Sequence, residues 1–572
     1  MEKQIGDMVG KQETQDSYHV YPPVFEDVRD WPIYKVSKLR DSFILNLSKY
    51  VYDRLTKEHE GKLYDLLAKT IFDERIRVKE EPWKVDPPNE KAMWNRLERK
   101  LVDAKDNSDK ESQLITYQDI LKEIIDRYAE EIVSTFRLKT FKFARKFLTF
   151  FFNKLLNTGE AIRNFRRRVY KSGMSVHDRL NCLGAVEEVR ELMKKGTVVV
   201  LPTHFSNLDS ILIGYAMDAV VGLPAFTYGA GLNLYNAGYA AYFMNRLGPY
   251  RVDRRKKNLV YLETLKGVSK LSIEWGVNNL FFPGGTRSRS GALESKLKMG
   301  LLGTTIEAQR SLLQQNKNRK VFIVPIVLGY HFVLEAQFLI EEHLRREGRE
   351  LYLKKNDQSY SLRKVARFIW RLFTRKSDIT LSFGKPMDVL GNFVNSEGKS
   401  LDRHGNIIDI KDYFTTNGKV VENLQREREY TKLLADRVVE RYHKDNIVMS
   451  SHLVAFAGFH LLKREHPNLD LYALLRLPPE DYSFKTDSMQ KILENLRARL
   501  IELSIKGKVK LAPQILLEND ELLKHGIQQL GSFHAMQPLM IDKTYNLIVS
   551  QNFKILYFYH NRLTGYGLEK YV

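Results

Sequence analysis

The fold is indicated most directly by the stretch Thr197-Val-Val-Val-Leu-Pro-Thr-His-Phe-Ser-Asn-Leu-Asp209. Its apolar, β-branched first half predicts a buried strand that ends at Leu201, and a turn then leads to a helix that begins near Asp209. Further β-rich runs occur at Asn279–Phe282, Val321–Leu328 and Asp378–Phe383. Helical patterns lie between these runs, at Asp209–Met217, Leu259–Trp275 and Gly300–Gln315. Strands that alternate with helices predict an α/β fold, in which helices cover both faces of a sheet.

The chain of 572 residues is too long for one ordinary core, so we expect two or three packed units. We divide it into five segments. Residues 1–130 are predicted to be helical, because apolar residues recur there at three- and four-residue spacing. Residues 131–175 form a basic amphipathic segment, residues 176–394 the α/β domain, residues 395–419 a linker or surface excursion, and residues 420–572 a second helical region.

The net charge of +21 is concentrated in one part of the chain. Between Arg137 and Lys171 there are eleven lysine or arginine residues and one acidic residue, Glu160, which accounts for about half of the net charge. A basic cluster of this kind points to an anionic partner. Phenylalanines are interleaved with the charges at helical spacing and no nucleic-acid-binding module is recognisable, so we do not expect nucleic acid to be the partner.

The segment Phe141–Leu156 reads as a basic amphipathic helix. Phenylalanines and aliphatic residues fill a wide face, and the opposite face carries the polar and basic residues Lys142, Arg145, Lys146, Thr149 and Asn153. Such a helix can lie in a membrane interface, where each nearby basic residue contributes about 1 kcal/mol of attraction to anionic lipid. The basic run Arg163–Arg168 would add to that contact. The alternative is a core helix with a solvated basic face. Because no run of about 18 uninterrupted apolar residues occurs, we expect peripheral or monotopic binding to the cytoplasmic face of a membrane.

Two short motifs carry residues suited to chemistry. His204 and Asp209 lie across one strand-to-helix turn, close enough for the carboxylate to orient the imidazole as a general base. On spacing alone, however, a structural loop histidine explains the pair better. The second motif is Phe281-Phe-Pro-Gly-Gly-Thr-Arg-Ser-Arg-Ser-Gly291, in which glycines allow close approach of a ligand and two arginines can grip one phosphate. A basic surface turn is the alternative interpretation.

Taken in order, four blocks of the sequence resemble the glycerolipid acyltransferase superfamily. The first is the His-x-x-x-x-Asp block, His204 to Asp209, and the second is Gly248-Pro-Tyr-Arg-Val-Asp-Arg254. The third is Phe282-Pro-Gly-Gly-Thr-Arg-Ser288, and the fourth is Val324-Pro-Ile326. Later segments, such as Gly329-Tyr-His-Phe-Val-Leu-Glu335, extend the resemblance to the branch of bacterial membrane glycerol-3-phosphate and dihydroxyacetone-phosphate acyltransferases. The resemblance implies a mixed sheet flanked by helices for residues 176–394.

The resemblance also implies roles for individual residues. His204 would deprotonate the acceptor hydroxyl and Asp209 would orient it, without an acyl-enzyme intermediate. The phosphate of the acceptor would be bound by Arg254, Arg287 and Arg289. The remaining predicted substrate-binding residues are Gly285, Thr286, Lys298 and Pro325, the last shaping the wall of the site. No metal and no cofactor is predicted, since the histidines are too scattered for a metal site.

Two positions depart from the blocks. Arg251 replaces the phenylalanine of the second block and would add a positive charge near the phosphate. Gly284 replaces the glutamate of the third block, which leaves open an altered acceptor or an inactive relative. The soluble plastid-type enzymes also lack this glutamate, and their Gly-Gly-Arg-x-Arg form is close to the sequence here.

The function implied is therefore transfer of a fatty acyl group from a thioester, acyl-CoA or acyl carrier protein, to the sn-1 hydroxyl of glycerol 3-phosphate. Alternatives in the same class take lysophosphatidate (1-acylglycerol 3-phosphate) or dihydroxyacetone phosphate as acceptor. A different class, a non-catalytic lipid-binding scaffold that kept the fold, rests on Gly284 alone.

Overall fold

The structure, a computed structural model, describes residues 20–150, 180–235, 238–347, 379–531, 534, 536–542 and 544–572. Within these ranges the predicted α/β class is confirmed, with helical regions on either side of the sheet in the sequence. Asn153, the run Arg163–Arg168 and the other predicted membrane-binding residues after position 150 lie outside the described residues.

The sheet has seven strands in the spatial order β1-β7-β6-β2-β5-β3-β4. In chain order the strands are β1 (Leu180–Gly184), β2 (Gly196–Pro202), β3 (Thr227–Gly231), β4 (Tyr250–Val252), β5 (Asn279–Leu280), β6 (Lys320–Tyr330) and β7 (Ile379–Phe383). Strands β6, β2, β5, β3 and β4 are mutually parallel, whereas β7 is antiparallel to β6 and β1 is parallel to β7. The carboxyl ends of five parallel strands therefore meet at one edge, where ligands bind in α/β sheets.

The central strands are continuous apolar runs because both faces of the sheet are covered. Val198, Val199, Val200 and Leu201 of β2 are all fully buried. The helices of this domain are α7 (Val186–Met193), α8 (Asp209–Ala219), α9 (Gly238–Met244), α10 (Leu259–Glu274), α11 (Met299–Gln314) and α12 (Ala336–Glu347). Cys182 packs in β1, where burial raises the pKa of its thiol to about 12.

The N-terminal region packs as a helical unit against α10. Its helices are α1 (Pro32–Lys38), α2 (Arg40–Glu58), α3 (Leu63–Glu80), α4 (Glu90–Lys105) and α5 (Lys110–Ile132). Helices α2 and α5 contact α10 directly, and Tyr261 and Val268 of α10 belong to the same apolar core as Leu47 and Ile124. This unit therefore shares a core with the α/β domain.

Residues 138–150 form helix α6, which lies beside α8. Two residues of its predicted basic face contact protein: Arg145 pairs with Asp218 at 3.1 Å, and the Thr149 hydroxyl lies 3.2 Å from the Tyr215 hydroxyl. Large aromatic side chains are exposed instead. These define the aromatic patch, with exposed fractions of 60% for Phe143, 50% for Phe147, 63% for Phe150 and 49% for Tyr242 of α9. In the part of the chain that the structure describes, no helix combines the length and the apolarity needed to cross a bilayer.

The chain after β7 covers the sheet and builds a further helical unit. Residues 395–419, predicted to be a linker or surface excursion, contain the strands β8 (Ser400–Leu401), β9 (Ile407–Ile408) and β10 (Thr415–Thr416), with Ile410 and Phe414 buried in the main core. The later helices are α13 (Leu424–Asp445), α14 (Ser450–Glu465), α15 (Leu471–Leu474), α16 (Thr486–Ile505), α17 (Asn519–Gly531) and α18 (Phe553–His560). The remaining short strands are β11 (Lys419–Val420), β12 (Ile447–Val448), β13 (Ser483–Lys485), β14 (Lys510–Leu511), β15 (Met540–Asp542) and β16 (Leu547–Val549). Helix α14 is at the centre of this unit and contacts α16, α17 and α18.

Candidate active site

His204 and Asp209 meet at the carboxyl end of β2, as their spacing predicts. Nδ1 of His204 lies 2.8 Å from Oδ2 of Asp209, which is completely buried. The same oxygen accepts the backbone N–H groups of Phe205, at 2.7 Å, and Ser206, at 2.9 Å. Because an acceptor held by so many donors is a carboxylate, we assign the proton of the imidazole to Nδ1, which leaves the lone pair on Nε2.

Tyr330, at the end of β6, completes the hydrogen bonding of Asp209. Its hydroxyl donates to Oδ1 of Asp209 at 2.6 Å. Burial, followed by the negative charge of Asp209, raises the pKa of the phenol well above its usual range, so Tyr330 stays a donor. Sequence reasoning missed this residue, although it stands on the same strand as the Val324-Pro-Ile326 block.

The main chain and ring of His204 are fixed by the loop that follows β5. Its N–H donates to Oε1 of Glu294 at 2.9 Å, and its carbonyl accepts the N–H of Ser288 at 2.7 Å. The imidazole stacks on Phe282, with 4.0 Å between ring centroids. The side chain is 16% exposed, and Nε2 forms no hydrogen bond to any residue that the structure describes. The arrangement therefore presents one basic nitrogen in a fixed position.

Three arginines predicted to bind phosphate come together beside this base. Arg254 follows β4, whereas Arg287 and Arg289 lie in the loop after β5. Burial lowers the pKa of the Arg254 guanidinium, and the positive charges of Arg287 and Arg289 lower it further. Arg254 has no carboxylate partner among the described residues, whereas Arg287 lies 3.5 Å from Glu335 and Arg289 lies 2.9 Å from Glu342. Such a cluster of positive charges is suited to an anion, which would relieve the repulsion between the guanidinium groups.

The N-terminal helical unit anchors the loop that carries Arg254. Arg255 forms ion pairs with Asp86 and with Asp253, the latter at 2.7 Å. Lys256 is buried and donates to Glu131 of α5 at 2.6 Å. The neighbours of Arg254 on either side are therefore held by ion pairs, while Arg254 remains available to a ligand. This gives the N-terminal unit a structural role that the sequence did not reveal.

The predicted loop residues Gly285, Thr286 and Lys298 lie together. Gly285 has a left-handed φ of 75°, and a Cβ built there would stand 2.6 Å from Cδ of Lys298. The left-handed backbone favours glycine at this position, and a larger residue would also displace the end of the lysine side chain. The Thr286 hydroxyl accepts a hydrogen bond from Arg289 at 3.4 Å. The loop is thereby folded back on itself around the arginines.

Two other sequence expectations have different outcomes. Pro325 is buried within β6, opposite Leu201 of β2, and its role in the wall of the site stays a prediction. The guanidinium of Arg251, expected near the phosphate, instead lies 4.9 Å from the Tyr235 ring centroid and donates to Asn245. Its charge is not among those that lower the pKa of Arg254. In this structure Arg251 is engaged by Tyr235 and Asn245, and a contribution of its charge to the phosphate site stays a prediction.

The C-terminal segment inserts Arg562 beneath the His204 turn. Its guanidinium lies over the ring of Phe205 at 4.2 Å and donates to Oδ1 of Asn446 at 2.9 Å. Burial lowers the pKa of Arg562 to about 10, against the opposing charges of Glu294 and Asp209. Arg562 thus compensates the buried carboxylates of the site. The sequence analysis did not assign it a role.

Comparison with known proteins agrees with this geometry. A family model described as Acyltransferase matches residues 185–329, which contain all four blocks. The glycerol-3-phosphate acyltransferase of Alteromonas mediterranea is 26% identical over 315 residues, 53% of this chain and 34% of that protein. The enzyme of the same name from Pseudomonas aeruginosa is 27% identical over 309 residues, 54% of this chain and 31% of that protein.

Among solved structures, the 1-acyl-sn-glycerophosphate acyltransferase of Thermotoga maritima matches 52% of this chain and 96% of its own, with 15% identity and a TM-score of 0.23. The matched region spans about a third of the length of the curated relatives. The family model and the curated relatives show an acyltransferase domain at residues 185–329, and together with the four blocks they support the glycerolipid acyltransferase superfamily for this part of the chain.

Proposed function

We propose that the protein is a glycerol-3-phosphate O-acyltransferase, which transfers a fatty acyl group from acyl-CoA or acyl carrier protein to the sn-1 hydroxyl. The observation that carries the proposal is the meeting of His204, whose Nε2 has no partner among the described residues, with the arginine cluster around Arg254 at one edge of the sheet. A base and an anion site so placed suit an acceptor that has both a hydroxyl and a phosphate. The curated relatives named glycerol-3-phosphate acyltransferase support this choice of acceptor.

In the proposed reaction, Nε2 of His204 takes the proton of the acceptor hydroxyl as its oxygen attacks the thioester carbonyl. The buried carboxylate of Asp209 stabilises the imidazolium that forms. Collapse of the tetrahedral intermediate breaks the carbon–sulfur bond, and the imidazolium returns the proton to the departing thiolate. Ester and thiol are the products, and no covalent bond to the enzyme forms.

Arg254, Arg287 and Arg289 hold the phosphate and thereby fix the distance between the hydroxyl and the base. Glu335 and Glu342 form ion pairs with two of these arginines. Glu335 also accepts hydrogen bonds from the Ser206 hydroxyl, at 2.9 Å, and the Asn207 N–H, at 3.2 Å, so it ties the arginine loop to the turn that bears the base. Binding of a phosphate would draw Arg287 and Arg289 towards the ligand.

The proposal includes association with the cytoplasmic face of a membrane through α6. The aromatic patch supplies exposed apolar area, while Lys142 and Lys146 are exposed on the same helix. Aromatic side chains flanked by lysines suit an interface between acyl chains and anionic headgroups. This placement would bring an acyl donor and the product close to the bilayer.

The test is transfer of a labelled acyl group by the full chain in the presence of anionic vesicles. Acyl-CoA and acyl carrier protein serve as donors, and glycerol 3-phosphate, lysophosphatidate and dihydroxyacetone phosphate serve as parallel acceptors. We expect the highest kcat/KM with glycerol 3-phosphate. A higher kcat/KM with another acceptor would show that the enzyme acts on that acceptor instead. Folded protein that acylates none of the three acceptors would favour the non-catalytic scaffold.

A further inference from the structure

The third sequence block lacks its usual glutamate, and the structure places another carboxylate where that side chain would begin. Gly284 does not have a left-handed backbone, so a side chain is permitted there. A Cβ built on Gly284 would lie 3.1 Å from Cγ and 3.4 Å from Oε1 of Glu294. The space beside Gly284 is therefore occupied by a carboxyl group that comes from further along the same loop.

Glu294 is half-buried, and its carboxyl group makes a specific contact with the site. Its Oε1 accepts the backbone N–H of His204, and its Oε2 is shielded from solvent without a hydrogen-bond partner among the described residues. Burial raises the pKa of Glu294 to about 7, opposed by the His204 N–H and by the positive charge of Arg562. A buried carboxyl group is costly unless it serves the structure or the chemistry around it.

The contact bears on the base because the loop holds both main-chain polar groups of His204. Glu294 accepts its N–H at 2.9 Å, and the N–H of Ser288 donates to its carbonyl at 2.7 Å. Asp209 and Phe282 orient the ring, but they do not fix the main chain of His204. Without Glu294 the N–H of His204 loses its acceptor, and the main chain at His204 itself is held less firmly, although Asp209 still binds the N–H groups of Phe205 and Ser206.

We infer that Glu294 is a positioning residue, which supplies from a later point in the loop the carboxylate that the block normally carries at position 284. This inference rests on the proposed acyltransferase function. It also explains how a chain with Gly284 retains an ordered His204. Glu294 then compensates for the loss of the glutamate at position 284.

The test is an exchange of the carboxylate between the two positions. Glu294→Ala should lower kcat about 10- to 100-fold, because small displacements of a base have effects of this size, with little change in KM for glycerol 3-phosphate. Gly284→Glu alone should also lower kcat, since two carboxyl groups would compete for one space. The double variant Gly284→Glu/Glu294→Ala should recover most of the wild-type kcat, and Glu294→Gln, which keeps an acceptor, should lose less than Glu294→Ala. Ser295→Ala, at an exposed neighbouring position, is the matched control.

Thermal unfolding of the same variants gives a second readout that needs no substrate. The two single changes should each lower Tm, and the double variant should regain part of the loss, because the introduced glutamate restores an acceptor for the His204 N–H. Additive losses in kcat and in Tm, or a fully active Glu294→Ala protein, would overturn the inference. Wild-type protein that is inactive with every acceptor would instead refute the proposed function, and the Tm cycle would still decide the role of Glu294.

Discussion

Replacement of Asp209 by asparagine should lower kcat about 10³-fold while folding is preserved. The carboxylate oxygen lies 2.8 Å from Nδ1 of His204, which places the two charge centres about 4 Å apart once the imidazole is protonated. At an effective dielectric constant of about 20, that separation is worth about 4 kcal/mol, or about three orders of magnitude in rate. The asparagine oxygen can still accept the N–H groups of Phe205 and Ser206, so the turn should keep its shape.

The loss should fall on kcat because His204 is neutral when substrate binds and charged only as the proton is transferred. The assay is steady-state acyl transfer from acyl-CoA with varied glycerol 3-phosphate, accompanied by Tm. Tyr330→Phe is the matched control: it removes the donor to the other oxygen of Asp209 but leaves the charge, so we expect a loss of only about tenfold. An Asp209→Asn protein within about threefold of wild-type kcat, or one altered only in KM, would refute the reasoning.

Three further predictions concern the phosphate site, the buried charge and the membrane contact. Arg254→Ala should raise KM for glycerol 3-phosphate about 10- to 100-fold with little change in Tm, because it removes a charge-assisted contact with the phosphate. Arg255→Ala should instead lower Tm, because it breaks the ion pairs with Asp86 and Asp253. A higher KM for Arg255→Ala and a lower Tm for Arg254→Ala would contradict the assignment. Arg562→Met should reduce the free energy of unfolding by about 3–5 kcal/mol in urea titrations, since it leaves buried carboxylates without a compensating cation, and an unchanged denaturation midpoint would contradict this role. Replacing Phe143, Phe147 and Phe150 of the aromatic patch together by serine should weaken binding to anionic vesicles about 100-fold in flotation assays, at about 1 kcal/mol for each half-exposed ring. The control Arg145→Ala should bind nearly as well as wild type, because the Arg145 side chain pairs with Asp218. Equal binding by all three proteins would exclude α6 as the membrane contact.

The parts of the fold that the sequence predicted are those with strong local patterns. Strands β2 and β6 are long apolar runs, and both were predicted to within two residues at each end. Strands β3 and β4 were missed because Thr227–Gly231 contains two glycines and Tyr250–Val252 is only three residues long. Short strands such as β3, inside the sheet, and β4, at its edge, are stabilised by the strands they pair with rather than by their own composition.

The candidate site also has a part that the sequence predicted and a part that it did not. His204 and Asp209 share one turn, so their contact follows from local spacing. The arginines of two separate blocks were grouped by resemblance, and the structure brings them together. Glu294 and Arg562 were not recognised, because their contacts depend on how a loop folds back and how the C-terminal segment docks, and no local periodicity encodes either event. The ion pairs that anchor Lys256 to the N-terminal unit are likewise long-range.

The faces of α6 show a further limit of pattern reading. Helical periodicity correctly separates Arg145 and Thr149 from the phenylalanines, but it does not say which face meets the protein. The structure turns the Arg145 side towards α8, where Asp218 and Tyr215 provide polar partners, and leaves Phe143 exposed. The exposed lysines in the described part of this helix are thus Lys139, Lys142 and Lys146.

The central claim is that His204 is the base for acyl transfer to a phosphate-bearing acceptor, and its most direct test is the rate of transfer by wild-type and His204→Ala proteins. Both are assayed with saturating acyl-CoA and glycerol 3-phosphate, after Tm has established that both are folded. The account predicts robust transfer by the wild type and a loss of about 10²- to 10⁴-fold for His204→Ala, the range expected for removal of a general base. A His204→Ala protein that retains a substantial part of the wild-type rate would contradict it.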